Sequence, residues 1–248
     1  MVAEKYKKLS LIIPVFNEES TIEKLLKKVI DAKLGILKEI IVIDDASTDS
    51  TSNILNKFND IPGLKILKNE QNMGKSLTVK HGIELSTGDL VVIQDADLEY
   101  NPQNLSAFVK KFNESDADII YGDRFSRGYK IVYPVVWVGN VLLSVISGLI
   151  TGLRARMWVH DAHVCYKMVK GGVIRSIAPK LVSTSGFGFD TEITAKLSKF
   201  KLNGKHLKLS QLPVEYYPRT MGQGKKLRPI SDGFKALWEI FKFNFLIR

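Results

Sequence analysis

The sequence contains one cysteine, Cys165, in 248 residues. A single cysteine excludes an internal disulfide framework and is typical of proteins that work in a reducing compartment. Residues 1–8 are polar and lead directly into a strand-like run, so we expect no secretory signal. Internal repeats, low-complexity tracts and a change of composition that would mark a linker are also missing. We therefore expect one folded domain over residues 1–248.

Acidic residues are outnumbered by basic ones. The 26 Asp and Glu residues face 36 Lys and Arg residues, which gives a net charge of +10. Such an excess favours an anionic partner, namely a phosphate compound, a nucleic acid or an acidic membrane surface. The sequence has no known nucleic-acid motif and no alternation of basic and aromatic residues, so we expect no nucleic acid partner.

Charge is missing altogether from residues 131–153. A run of this length can cross a bilayer, which requires roughly 20 apolar residues. Proline, glycine and polar residues interrupt the run, however, and Val141, Val145 and Leu149 fall on one helical face. We predict an amphipathic element that lies on a membrane surface, with a buried core helix and a true membrane span as alternatives.

The first half of the chain alternates apolar runs with helical patterns, which is typical of a parallel sheet covered by crossover helices. The predicted strands are residues 9–15, 39–43, 64–67, 89–93 and 117–122. After residue 125 the alternation is lost. There the patterns predict a helix over 186–200, a strand over 208–217, a basic loop over 221–229 and a final helix with an aromatic face.

Two carboxylates, Asp95 and Asp97, follow the fourth predicted strand. The two residues are two positions apart, so a strand places them on one face, and a small kink turns both carboxylates toward one point. Hard oxygen ligands of this kind suit Mg²⁺ or Mn²⁺, with diphosphate oxygens completing the coordination. The alternative is a solvated acidic turn. The position favours a metal site, because open α/β sheets bind ligands at the carboxyl ends of their strands.

The first two predicted strands also end in polar segments, PVFNE at 14–18 and DDAS at 44–47. A carboxylate in such a position accepts hydrogen bonds from a base nitrogen or from ribose hydroxyls. Helix capping is the alternative interpretation, and it accounts for Glu18 or Asp49. It does not account for the doubled Asp44 and Asp45.

Four motifs in this order resemble the family 2 glycosyltransferases with the GT-A fold: IPVFNE (13–18), VIDDASTD (42–49), NEQNMGK (69–75) and QDAD (94–97). The resemblance implies an α/β, Rossmann-like fold with a mixed, mainly parallel sheet sandwiched by helices, and membrane-proximal helices in the C-terminal half. It assigns nucleotide-sugar binding to Pro14, Phe16, Glu18, Asp44, Asp45, Lys75, Asp95 and Ala96. It assigns the metal, Mg²⁺ or Mn²⁺, to Asp95 and Asp97, with Glu99 as a third ligand.

Three downstream segments resemble dolichyl- and polyprenyl-phosphate hexose synthases: GDRF (122–125), DAHVCYK (161–167) and YYPRTMGQGKK (216–226). The resemblance implies a UDP- or GDP-hexose donor and a polyprenyl or dolichyl phosphate acceptor. It implies a nucleotide-sugar-binding core over 1–125, a pair of apolar interface helices within 126–155, and an acceptor side with a C-terminal amphipathic helix over 156–248. We expect a peripheral enzyme on the cytoplasmic side of the membrane.

A phosphate acceptor agrees with the chemistry of the basic residues. A monoester phosphate carries a charge of about −1.5 to −2 at neutral pH and is already a nucleophile, so a strong general base is unnecessary. Cations are needed to hold it in line with the sugar carbon. With Asp97, the expected catalytic residues are Arg124, Arg219, Lys225 and Asp161, the last of which orients sugar hydroxyls or the acceptor loop. A single displacement inverts the configuration at carbon 1.

Two features depart from these relatives. Residues 137–140 carry no arginine, although many relatives have one or two there that bind the acceptor phosphate. The sequence also ends at Arg248, without the C-terminal transmembrane helices that many relatives have. The missing arginine leaves the details of acceptor recognition open. A family 2 glycosyltransferase that acts on a soluble sugar or a polysaccharide is the alternative, and the donor base, the hexose, the lipid length and the oligomeric state stay open.

Overall fold

The computed structural model describes residues 5–126, 133–184, 188–220 and 229–247. A seven-stranded sheet in the order β3-β2-β1-β4-β6-β5-β9 runs through these residues, beside a small β7-β8 hairpin. The strands are β1 Lys8–Val15, β2 Leu37–Asp44, β3 Leu64–Lys68, β4 Leu90–Ile93, β5 Ile119–Asp123, β6 Lys167–Lys170, β7 Lys201–Leu202, β8 Lys205–His206 and β9 Leu209–Pro213. The helices are α1 Ile22–Asp31, α2 Thr51–Leu55, α3 Lys75–Leu85, α4 Leu105–Glu114, α5 Pro134–Ala155, α6 Gly171–Ile177, α7 Gly188–Lys199 and α8 Pro229–Phe241.

The sheet is mixed and mainly parallel. β6 runs antiparallel to both β4 and β5, and the other neighbouring strands of this sheet are parallel. The central strands are buried along most of their length, because helices cover both faces of the sheet and leave no solvent-facing side. This arrangement confirms the predicted α/β fold with its sandwiched sheet.

The strand order creates a crevice beside β1. The chain runs outward from β1 to β2 and β3, then returns to place β4 on the other side of β1. The loops that follow β1 and β4 therefore leave the sheet in opposite directions and open a gap between them. The carboxyl ends of β1, β2 and β4 all meet at this edge of the sheet.

The sequence patterns missed β6 and α6. β6 has only four residues and includes two lysines, so it carries no periodic signal. Its Lys167 is nevertheless buried, because Nζ lies 2.5 Å from Asp190 and above the Tyr121 ring. The last strand of the sheet, β9, is shorter than the predicted strand over 208–217.

The uncharged segment forms one helix, α5, where the resemblance implied a pair of interface helices. By length and composition α5 is able to cross a membrane, and a third of its apolar window is buried in the protein. Small residues make up its buried face, and a Cβ at Gly148 would lie 2.4 Å from the carbonyl oxygen of Val159. Close packing against the protein thus explains Ser144, Ser147, Gly148 and Gly152, whereas a Cβ at Gly139 would meet no atom within 4 Å. Residues 131 and 132 lie outside the described residues.

α5, α7 and α8 pack against one another. Arg154 of α5 donates hydrogen bonds to the side chain and the carbonyl of Asn244, at 2.7 and 3.1 Å. Lys199, at the end of α7, donates to the carbonyls of Phe243 and Ile247 at 2.7 and 2.8 Å. These contacts attach α8 and the π-helical turn that follows it, Lys242–Leu246, to the other two helices.

We expect Glu39→Gln to lower the free energy of unfolding by about 1–3 kcal/mol at pH 7, because a buried hydrogen-bond acceptor is lost. Burial raises the pKa of Glu39, but hydrogen bonds from Ser10 and Thr87 outweigh this and lower the pKa below 4.5. A depressed folded-state pKa stabilises the protein above pH 4.5 and ceases to do so as the pH falls through the folded value. Urea unfolding of both proteins between pH 3 and 7 measures the difference, which should shrink in acid. A constant difference would contradict this origin.

Candidate active site

A cavity of about 230 Å³ lies where β1, β2 and β4 end. Its lining is formed by Pro14, Val15, Phe16, Glu18, Asp45, Lys75, Thr78, Asp95, Ala96 and Asp97. Eight of these were assigned from the sequence to donor, metal or catalytic roles, and the structure brings them together. Val15 and Thr78 were not predicted, because an apolar strand residue and a helix threonine carry no distinctive signal.

Each of the three loops around the cavity contains a non-glycine residue in the left-handed region. These residues are Asn17 (φ 53°), Ala46 (φ 59°) and Leu98 (φ 63°). Asparagine tolerates this conformation, whereas alanine and leucine rarely adopt it. Backbone strain of this kind costs about 1–3 kcal/mol per residue and is concentrated at functional sites. It marks these loops as shaped for binding.

The carboxylates of the adjacent residues Asp44 and Asp45 have different hydrogen-bond partners. Asp44 accepts hydrogen bonds from the Ser47 amide at 2.9 Å and from the Ser52 hydroxyl, so its carboxylate shapes the turn after β2. Asp45 lines the cavity and accepts from the amides of Met73 and Gly74 at 2.9 and 2.8 Å. Of the two, the structure leaves Asp45 as the candidate for donor contact and gives Asp44 a supporting position.

Asn69 connects Asp45 to the wall of the cavity. Its side-chain amide donates to Asp45 Oδ1 at 2.8 Å and to Thr78 Oγ1 at 3.2 Å. The segment 69–75 was recognised as a motif in the sequence, but its asparagine was given no role. The first residue of that motif holds the cavity carboxylate in place.

The acidic segment after β4 is held in place by hydrogen bonds that involve Tyr166 and Gln94. Tyr166 donates its hydroxyl to Gln94 Oε1 at 2.6 Å, and Gln94 Nε2 donates to the carbonyl of Asp95 at 2.9 Å. Cys165 is buried next to them, and burial raises the pKa of its thiol. It is an inert packing residue.

Asp95 and Asp97 lie close to each other and to two basic side chains, Lys75 and Arg219. Lys75 Nζ is 2.6 Å from Asp95 Oδ1, and Asp97 Oδ1 accepts from the Glu99 amide at 3.0 Å. Burial raises the pKa of Asp97 to about 7, repulsion from Asp95 and Glu99 adds to the effect, and Arg219 opposes it. Two hard oxygen donors that repel each other fit a divalent ion such as Mg²⁺ or Mn²⁺.

The Glu99 carboxylate has different partners from those of Asp95 and Asp97. Its carboxylate accepts from the Tyr216 hydroxyl at 2.7 Å and from the Arg219 amide at 2.8 Å. In the part of the chain that the structure describes, no three His, Cys, Asp or Glu side chains converge as metal ligands. In this structure the Glu99 carboxylate holds the 216–219 segment, and its assignment as a third metal ligand stays a prediction.

Arg124 and Asp161 form a buried ion pair. Arg124 Nε and Nη2 lie 2.6 and 2.7 Å from the two Asp161 oxygens, and the guanidinium lies 5.1 Å from the Tyr216 ring centroid. Both side chains are buried, so Arg124 is not exposed to an acceptor phosphate. The pair supports Tyr216, which holds Glu99. This geometry gives Arg124 a supporting position beside Tyr216, and it is compatible with the prediction that Asp161 orients the acceptor loop.

Arg219 reaches the cavity from the segment after β9, which the resemblance assigns to the acceptor side. Its guanidinium lies 3.2 Å from Glu18 and 3.3 Å from Asp97. The structure thus joins residues that are about 200 positions apart, as expected for one active site. Lys225 and its neighbour Lys226 lie outside the described residues.

Residues 10–168, well over half of the chain, match the family model of Glycosyl transferase family 2. The chain belongs to glycosyl transferase family 2. The matched region contains the three strand-end loops, the acidic segment and the Arg124–Asp161 pair. The structure and the family assignment agree that the protein is a glycosyltransferase.

Two relatives show which family 2 members this glycosyltransferase resembles. It is 28% identical to dodecaprenyl-phosphate galacturonate synthase of Rhizobium johnstonii over 68% of this chain and 49% of that protein. It is 24% identical to dolichol-phosphate mannosyltransferase of Pyrococcus furiosus over 96% of this chain and 64% of that protein. The chain therefore spans less than two thirds of the length of both relatives.

A solved structure confirms the GT-A fold. The glycosyltransferase superposes on glucosyl-3-phosphoglycerate synthase of Mycobacterium tuberculosis, solved with Mn²⁺, UDP and glucosyl-3-phosphoglycerate, with a TM-score of 0.67. The two proteins are 18% identical, and the match covers 96% of this chain and 80% of the other.

Proposed function

We propose that this glycosyltransferase moves a hexose from a UDP- or GDP-hexose to a polyprenyl or dolichyl phosphate, with inversion at carbon 1. The names of the two relatives support a polyprenyl-phosphate acceptor. The observation that carries the proposal is an exposed apolar face, part of which lies within the segment 131–153 that the sequence assigned to a membrane surface.

The apolar face consists of two stripes of exposed side chains. Along α5 the stripe is Val135, Val138, Leu142, Val145, Leu149 and Leu153, and along α8 and its final turn it is Phe234, Leu237, Trp238, Phe241, Phe245 and Leu246. The residues of the α5 stripe are three or four positions apart, so they follow one helical face. Because α5 and α8 pack together, the stripes belong to one region of the surface. An apolar surface of this kind is typical of a membrane or protein contact.

The apolar face is connected to the active site by a short segment. α5 ends at Ala155, and six residues later Asp161 pairs with Arg124. Between them, Trp158 is exposed and His160 Nδ1 lies 3.2 Å from Asp123 at the end of β5. Because the Arg124 guanidinium lies on the Tyr216 ring, three positions before Arg219, we propose that a lipid on the apolar face extends its head group toward Arg219. This supports a lipid phosphate acceptor over a soluble one.

The donor half of the reaction uses the cavity. Pro14, Phe16, Asp45 and Thr78 surround the space for the nucleotide, and Lys75 stands beside Asp95 at the position for the diphosphate. Mg²⁺ or Mn²⁺ held by Asp95 and Asp97 would neutralise negative charge on the leaving diphosphate. The protein itself fixes the donor in one orientation through loops that are held by backbone hydrogen bonds.

The acceptor half uses cations and needs no strong base. The acceptor phosphate is itself the nucleophile and attacks the sugar carbon as the bond to the diphosphate breaks. Arg219 is the described cation on the acceptor side of the cavity, and Lys225 is proposed to act with it. Their charge holds the phosphate in line for the attack.

Transfer assays test the proposed function. The purified protein is incubated with Mn²⁺ or Mg²⁺, a short polyprenyl phosphate and either UDP-glucose, GDP-mannose or another nucleotide sugar. We expect a glycolipid product with one donor and no product without the lipid phosphate. No transfer from any nucleotide sugar, in a protein that still binds metal and nucleotide, would contradict the proposal. Transfer to a soluble sugar or phosphorylated acid in the absence of lipid would favour the alternative acceptor class.

We expect the double substitution Leu142→Glu with Leu149→Glu to weaken binding to anionic vesicles by about tenfold or more. Each leucine side chain that becomes buried in the membrane contributes roughly 1.5–3 kcal/mol to binding. The proposal places the enzyme peripherally on the cytoplasmic side of the membrane. Vesicle flotation measures the bound fraction. Leu37→Glu is the matched control, because Leu37 is 71% exposed but begins β2, away from the apolar face. Equal flotation of all three proteins would exclude α5 as the membrane contact.

A further inference from the structure

The Arg219 guanidinium forms ion pairs with two carboxylates of the donor site. Nη1 lies 3.2 Å from both oxygens of Glu18, and Nη2 lies 3.3 Å from Asp97 Oδ2. Glu18 comes from the loop after β1 and Asp97 from the loop after β4, so one side chain bridges the gap between the two loops. Arg219 is therefore a counter-ion of the donor site as well as a member of the acceptor side.

The segment around Arg219 is attached to the same acidic loop. The Arg219 amide donates to Glu99 Oε1 at 2.8 Å, and the Tyr216 hydroxyl donates to Glu99 Oε2 at 2.7 Å. The Tyr217 amide donates to the Glu99 carbonyl at 2.9 Å. The position of the acceptor-side segment thus depends on the acidic loop that carries Asp97.

This arrangement of Arg219 leaves one of its donors unsatisfied. Nε is buried and has no hydrogen-bond partner in the part of the chain that the structure describes. An unpaired buried donor is costly, and a guanidinium can use all five of its N–H groups. A divalent ion at Asp97 would also repel the guanidinium, because two like charges would share one carboxylate.

We propose that Arg219 is a resident cation that competes with the metal for Asp97 and is released when metal and donor bind. Release detaches the guanidinium from the donor carboxylates and makes it available to the acceptor phosphate, so donor binding precedes acceptor binding. The inference rests on the proposed function, in that it takes Asp95 and Asp97 as the metal ligands. It adds a mechanism that links the two substrate sites through one side chain.

Titration with Mn²⁺ alone, followed by electron paramagnetic resonance, tests the competition without nucleotide, lipid or activity. We expect Arg219→Gln to bind Mn²⁺ about tenfold more tightly than the wild type, and Arg219→Lys, which keeps the charge, to stay close to the wild type. Lys205→Gln is the matched control, because it removes one positive charge from the exposed β7-β8 hairpin. Unchanged or weaker binding by Arg219→Gln overturns the inference. An equal gain in Lys205→Gln also overturns it, since a general charge effect would then explain the result.

Hydrogen exchange of the unmodified protein gives a second test that needs no variant. We expect Mn²⁺ with UDP to speed exchange of the Arg219 and Tyr217 amides, because both are bonded to Glu99 in the present arrangement. Exchange that is unchanged or slower overturns the release. Neither measurement uses a sugar or an acceptor, so a failure to transfer hexose to lipid would contradict the proposed function and leave this result standing.

Discussion

Asp97→Asn should lower the rate of hexose transfer by about 100- to 1000-fold or more, because it removes a charged group that acts on the leaving diphosphate. The substitution keeps the shape of the side chain and its position between the Glu99 amide and Arg219. It removes the negative charge that suits a divalent ion. The loss should therefore appear in kcat and in Mn²⁺ affinity together, measured by initial rates and by metal titration.

Stability separates this prediction from simple unfolding. Asp97 lies among the like charges of Asp95 and Glu99, so removing its charge relieves repulsion and should leave the melting temperature unchanged or higher. Asp60→Asn is the matched control, because Asp60 is exposed and is not among the residues that line the cavity. Transfer by Asp97→Asn at more than a tenth of the wild-type rate would exclude a central role for this carboxylate.

Asp161→Asn should lower the free energy of unfolding by about 3–5 kcal/mol, because it leaves the buried Arg124 guanidinium without its counter-ion. Asp161 is fully buried and accepts from Arg124 through both oxygens and from the Arg124 amide. Urea unfolding measures the loss. The variant should also lose activity, since the guanidinium packs against Tyr216, which holds Glu99.

A double variant tests whether the ion pair causes the loss. Arg124→Met with Asp161→Leu removes both charges, and it should be more stable than Asp161→Asn because no charge is left unpaired. Glu23→Gln breaks an exposed pair with Lys27 and should cause no measurable change. The losses caused by Arg124→Met and by Asp161→Leu alone are also measured. A double variant that loses the sum of these two values would show that the two side chains contribute independently.

The donor half of the site was predictable because its residues lie within short segments. Each of the motifs at 13–18, 42–49 and 94–97 directly follows or overlaps the end of an apolar strand, and parallel strands place such ends at one edge. The grouping of Phe16, Asp45 and Asp95 in one cavity therefore follows from local sequence and a general rule of topology. Lys75, which begins α3, was assigned by the resemblance to family 2 glycosyltransferases and not by this rule.

The C-terminal half of the chain was less predictable, since its residues meet through contacts that no local pattern records. β6 is inserted antiparallel between β4 and β5, and its four residues include the buried Lys167. The basic loop over 221–228 lies outside the described residues, so the predicted role of Lys225 stays a prediction. The uncharged run was recognised, but its single helix and its packing against α7 and α8 were not.

The sequence by itself determined the α/β fold, the three loops and the acidic segment, because strand periodicity and strand-end motifs are local properties. The tertiary structure decided how the charged residues are paired. It assigned Asp44 to a turn and Asp45 to the cavity, directed Glu99 to Tyr216, and brought Arg219 onto Asp97. The physical reason is that a carboxylate accepts hydrogen bonds from whichever donors the fold brings within reach, and those donors come from strands and loops far apart in the chain.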